Sequence, residues 1–232
     1  MRDQYAGDIS DYIKFAFLRC LLRPEQTVGI GWYYLEGHDG RPDGRHREYL
    51  ADSRWSALDP ELHEYLKSVN SVATLEQLRI WNCGIIFHRE TVPVLHFRQI
   101  WAKDMYRKLA NADVVFVDPD NGISKANKTL RKSATATEIT ELCSSNRPVI
   151  TIRFPHRRDS HNRQLSELHS MFFECRPVTL RTTVRVPNRG GGSSPRIRWF
   201  TLLNGTEHML KKMHIFSENL NNTQCASAKV AV

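Results

Sequence analysis

Three short apolar runs, in "TVGIGWYYL", "ADVVFV" and "RPVITIRF", alternate with stretches of helical spacing, and this alternation constrains the fold most. Short unbroken apolar runs suit strands buried on both faces. Strands separated by whole helices must run parallel, because a parallel connection needs a long crossover. The expected architecture is therefore a mostly parallel sheet with helices on both faces. Ligands in such sheets bind beyond the carboxyl ends of the strands, where the strand order reverses.

The first helix is expected in "GDISDYIKFAFLRCLL", where Asp8 or Ser10 can cap it and Ile9, Ile13, Phe17 and Leu21 recur at helical spacing. Asp8, Asp11 and Lys14 share another side of it. "DPELHEYLKSVN" starts a helix at Asp59 with Pro60 in its first turn, and "GIIF" reads as a short strand. Residues 97 to 110 read as a helix with Ile100, Trp101, Met105 and Leu109 inward, and "ATEITELCSS" and "SHNRQLSELHSMFF" as two more. "RPVTLRTTVRVP" and "RIRWFTLLNG" are expected to pair antiparallel across "NRGGGSSP". A short helix at about 206 to 213 follows. The polar end, residues 217–232, is predicted to be a disordered tail on a single domain spanning 1–216.

With 232 residues, 41% of them hydrophobic, one large core is expected. No apolar run is long enough to span a membrane. The five cysteines are scattered and form no C-x-x-C pair, which argues against a zinc site or disulfide framework and fits a cytoplasmic protein. The net charge of +8 is concentrated: Arg147 to Arg198 holds eleven arginines against three acids. Guanidinium forks suit phosphates, so RNA or DNA is the expected partner, although a solvated basic face has the same composition. Thr179, Arg181, Thr183 and Arg185 alternate with apolar residues, and Arg196 and Arg198 extend the pattern into the next strand, as expected for an arginine face that contacts phosphates.

The central strand ends in "DPDNG". Asp118, Pro119, Asp120 and Asn121 are candidate catalytic residues, and all of them also form ordinary turns. Asp118 and Asp120, with His156 (and His161 nearby) after the next strand, would alternatively compose a Mg²⁺ site for phosphodiester hydrolysis.

These motifs carry a resemblance. "YAGDISDYIKFAFLRCLL" resembles the opening helix of the single-domain large-subunit-rRNA adenine-N6 methyltransferases through Ala6, Gly7, Asp11, Ile13 and Lys14. "YYLEGHDGRPD" is similar to that family's nucleotide loop through Tyr34, Leu35, Glu36, His38 and Gly40, and "DPDN" stands where the family has Asp-Pro-Pro-Tyr. The same set of motifs also looks like uncharacterised bacterial and phage proteins.

The resemblance implies a class I methyltransferase-like, Rossmann-like α/β fold with S-adenosylmethionine as cofactor. Lys14, Glu36, Gly37, His38 and Gly40 would lie near it, and Asp118 would act on the amino group of a base. Two departures stand out. Pro42 replaces the loop's second glycine, and Asp120-Asn121 replace Pro-Tyr, removing the aromatic that would stack on a flipped base. Trp32 and Trp199 are the candidate replacements. A catalytically silent nucleic-acid-binding relative is the third functional class.

Overall fold

The structure, a computed structural model, describes residues 1–38, 40, 46–124, 130–187 and 193–232. Helix α1 (Ile9–Leu21) starts where Asp8 caps it, accepting the backbone N–H of Ser10 at 2.7 Å and of Asp11 at 3.1 Å. Strand β1 (Thr27–Trp32) follows, then the short helices α2 (Ser53–Ser56), α3 (Pro60–Tyr65) and α4 (Val72–Glu76), and strand β2 (Gly84–His88). Helix α5 (Arg98–Lys108) leads into β3 (Val114–Asp118), and two-residue strands β4 (Ile123–Ser124) and β5 (Ala134–Thr135) pair after it. Then come α6 (Ala136–Leu142), β6 (Val149–Arg153), α7 (His161–Met171), β7 (Val178–Pro187), β8 (Ser193–Leu203), α8 (Glu207–Asn222) and β9 (Ala226–Ala231).

The main sheet has the order β2-β1-β3-β6-β8-β7-β9. The first four strands are parallel, while β8 lies antiparallel between β6 and β7. This is the expected Rossmann-like sheet with a C-terminal antiparallel hairpin. One face packs α1 and α8 through Phe17, Phe200 and Phe216; the other packs α5, α6 and α7 through Met105, Leu142 and Leu168. Among the described residues no helix is long and apolar enough to cross a membrane, and the five cysteines are unpaired.

Two expectations are corrected. Residues 217–232 are not a frayed tail: α8 runs to Asn222, and β9 pairs with β7 so that Val230 lies opposite Leu180 and Ala228 opposite Thr182. Small residues at alternate positions let this polar-looking segment lie flat on the core, and the Asn221 side chain holds the Ala228 backbone at both its N–H and its C=O. Ile100 is also not inward but 66% exposed. The buried stripe of α5 is Arg98, Trp101, Ala102 and Met105, because Arg98 is drawn in by Glu138 at 2.6 Å and stacks over Tyr33 and Trp101.

Candidate functional site

The chain runs from β1 outward to β2, then returns to place β3 on the other side of β1, so the strand order reverses between β1 and β3. Trp32 and Asp118 are register partners at this point. Just beyond them Pro119 to Gly122 form a β-turn closed by the Gly122 N–H on the Pro119 carbonyl at 3.1 Å. Gly122 has φ +69°, and a Cβ there would sit 3.0 Å from the Arg153 Cα, so the turn needs a glycine on both counts. The Asn121 N–H donates to the Lys132 carbonyl at 2.8 Å, which ties the turn to the segment before β5.

The turn opens into a cleft of about 410 Å³. Lys14 lines it, with its Nζ 2.6 Å from Asp11 Oδ1 and 2.7 Å from Asp118 Oδ2, all three side chains being buried. Asp11 Oδ2 also accepts the Gly7 N–H at 2.8 Å. The expected shared side of Asp8, Asp11 and Lys14 thus exists, but it faces the cleft rather than solvent. Burial, opposed by Lys14, pushes the Asp11 carboxyl up to about 6, and burial likewise raises Asp8 against the pull of Arg198 and Lys14. Burial works against the Lys14 charge, yet Asp11 and Asp118 hold its pKa above the ordinary lysine range. Asp120 sits 2.5 Å from the Met1 amino group, which also donates to the Tyr33 carbonyl.

The cofactor residues inferred from the resemblance divide between two places. Lys14 lines the cleft, whereas Glu36 lines a separate polar groove of about 640 Å³ with Tyr34, His88, Glu90 and Thr91. Glu36 accepts the Thr91 hydroxyl at 2.8 Å, and Arg2 donates to the carbonyls of Glu36 and Gly37. Gly37 and Gly40 have positive φ with nothing within 4 Å of an added Cβ, and His38 belongs to the same exposed stretch. Pro42 lies outside the described residues.

The single arginine face is not formed. Arg198 pairs across from Thr182 and Arg196 from Val184, while Arg181 lies across from Trp199 and Arg185 from Pro195. Directly opposed residues share a face, so Arg196 and Arg198 point to the α1 side and Arg181 and Arg185 to the other. Only the first pair lines the cleft. The hydrolytic set is not assembled either. His156 does not line the cleft and lies 3.8 Å from Asp159, and no cluster of three potential metal-binding side chains occurs among the described residues.

Trp32 and Trp199 are fully buried and so present no face to a base. The aromatic side chains that line the cleft are instead Tyr5 and Phe154, the latter 36% exposed and directly after β6. The sequence places Phe154 at the end of the run "RPVITIRF", and the Pro155 that follows signals that the strand ends there, since proline has no N–H to donate to the ladder. Lys132 and Arg157 also line the cleft and were not singled out in the sequence.

No family model matches the chain, and no curated protein matches it. It is similar to the crystal structure of a protein from Legionella pneumophila str. Philadelphia 1, assigned to the family model DUF519, with a TM-score of 0.56 over 97% of each chain at 12% identity, a likeness that shows the fold.

Proposed function

We propose that the chain is an S-adenosylmethionine-dependent methyltransferase-like protein acting on the amino group of a nucleic-acid base. The observation that carries this reading is the place of the Asp118–Asn121 turn: it closes β3 at the reversal of strand order, in a cleft that also holds an aromatic wall and unburdened arginine N–H groups.

The separate groove lined by Glu36 and Glu90 suits the cofactor's chemistry. Glu36 and Glu90 suit the hydroxyls of a ribose, and the bare backbone at Gly37 admits close approach. Glu36, Gly37, Glu90 and Thr91 would hold the cofactor; Lys14 would not touch it, being committed to Asp11 and Asp118. If bound there, S-adenosylmethionine would supply an electrophilic methyl group and leave as S-adenosylhomocysteine, with the surplus proton of the methylated amino group passing to solvent. Asp118 accepts an N–H of the target amino group and orients its lone pair. Lys14 holds that carboxylate in place through its 2.7 Å contact, and Phe154 stacks on the base.

Calorimetry and thermal denaturation with S-adenosylmethionine test the reading, because a ligand at 100 times its Kd stabilises by about 2.7 kcal/mol. Transfer of labelled methyl groups to RNA and DNA pools, by the wild type and Asp118→Asn, completes it. Asp118→Asn should retain cofactor binding and lose turnover. Cofactor binding without transfer to any pool would leave a silent nucleic-acid-binding relative; neither heat nor shift at millimolar cofactor would end the methyltransferase reading.

A further inference from the structure

Arg198 is the least explained side chain of the cleft. It sits on β8 with only 5% of its surface exposed, its backbone carbonyl held by the Thr182 hydroxyl. Its Nε and Nη1 are both buried and make no hydrogen bond among the described residues. Arg196, two residues away on the same face, shares one Nη2 contact with His46 at 3.2 Å and has a buried, unpartnered Nε. Buried guanidinium N–H groups without acceptors are costly and rare in folded chains, and a ligand accounts for them where the group lines an open cleft.

Asp8 does not fill this role. Its carboxylate is turned toward the start of α1, where it accepts from the Ser10 and Asp11 N–H groups and the Ser10 hydroxyl. The nearest other carboxylates, Asp11 and Asp118, are joined to Lys14.

We propose that Arg198 and Arg196 form a phosphate seat in the floor of the cleft, which takes the phosphate of the nucleotide whose base lies against Phe154 and the Asp118–Asn121 turn. A planar guanidinium presents two parallel N–H donors to two phosphate oxygens, which a lysine ammonium cannot do. Arg157 and Lys132 on the same cleft add positive charge along the path of a strand. The seat deepens the proposed function: it rests on the base-binding reading of the cleft, and it defines the ligand as a phosphorylated nucleotide rather than a free nucleoside.

The test titrates the full chain with adenosine 5′-monophosphate and with adenosine at fixed ionic strength. The monophosphate should bind at least tenfold more tightly. In Arg198→Met, of similar length and volume, that preference should vanish while adenosine affinity is kept; Arg107→Met, on the exposed surface of α5, should preserve it. Should Arg198→Met fail to fold, the wild type still decides the matter: inorganic phosphate should compete with the monophosphate but not with adenosine. Equal affinities for the two ligands, or no competition by phosphate, would overturn the seat. S-adenosylmethionine titrated in parallel separates the two ideas. Cofactor binding without phosphate preference removes the seat alone, whereas phosphate preference without cofactor binding removes the methyltransferase and leaves a nucleotide-binding cleft.

Discussion

Lys14 and Asp118 stand 104 residues apart in the chain and 2.7 Å apart in space, and their ion pair fixes the first helix to the carboxyl end of β3. With Asp11 at 2.6 Å the lysine answers two buried carboxylates at once. Lys14→Met removes the cation bonded to both. It should destabilise the fold by about 3–5 kcal/mol, as expected when one member of a buried pair is deleted. Urea denaturation at pH 7 measures this. A loss below about 1 kcal/mol would mean that the pair is solvated like a surface bridge.

Asp11 gives the stability a pH dependence of unusual sign. Its folded pKa of about 6 lies above the ordinary aspartate value of 3.8, so between these values the folded state holds the proton more tightly than the unfolded chain. This contribution is complete below the lower value and is lost as pH rises through about 6. Asp8, raised in the same direction, adds to it. From pH 4 to 6.5 the wild type should therefore lose stability relative to Asp11→Asn. Parallel melting curves of the two proteins over that range are sufficient, and a constant offset would contradict the assignment.

Phe154 is expected to be the stacking wall for the bound base. Phe154→Ala should weaken binding of a single-stranded oligonucleotide by about 1–3 kcal/mol, the usual worth of one base–aromatic contact. The melting temperature should change little, since the ring is partly exposed. Fluorescence anisotropy with a labelled oligonucleotide reads the effect. Unaltered affinity would remove the stacking role.

The split of the arginines makes a comparative prediction. Arg196→Ala should lower oligonucleotide affinity and flatten its dependence on salt by about one unit of the log–log slope. Arg181→Ala, on the opposite face of the hairpin, should do neither. Equal effects at the two positions would require nucleic acid to contact both faces of the sheet.

The order of strands and helices was readable because each is a short apolar run or an amphipathic repeat, as with Val114–Val117 and Ile9, Ile13, Phe17 and Leu21. The turn at Asp118 was readable too, since strand ends in a parallel sheet are known sites. What failed depends on contacts between distant segments. The side chosen by Arg196 and Arg198 follows from which residue of β7 meets which of β8, and a shift of one position would have put them beside Arg181. Nothing local in "NRGGGSSP" specifies that number. Arg98 in place of Ile100 inside α5 needs Glu138, forty residues on, to be already in position. The burial of Lys14 likewise needs β3, and the seating of Arg198 needs α1 packed over β8.

The last strand has a consequence for how this chain behaves at high concentration. β9 covers β7, a ten-residue strand rich in valine and threonine whose backbone would otherwise lie open to any other extended chain. It replaces that adhesive border with a six-residue one made of alanine, serine, valine and a single lysine, Lys229. A variant shortened before Ala226 should keep its cleft but precipitate, with light scattering rising as monomer is lost. Fusion partners attached after Val232 sit directly on this border, so a bulky one would tend to pry the guard strand loose.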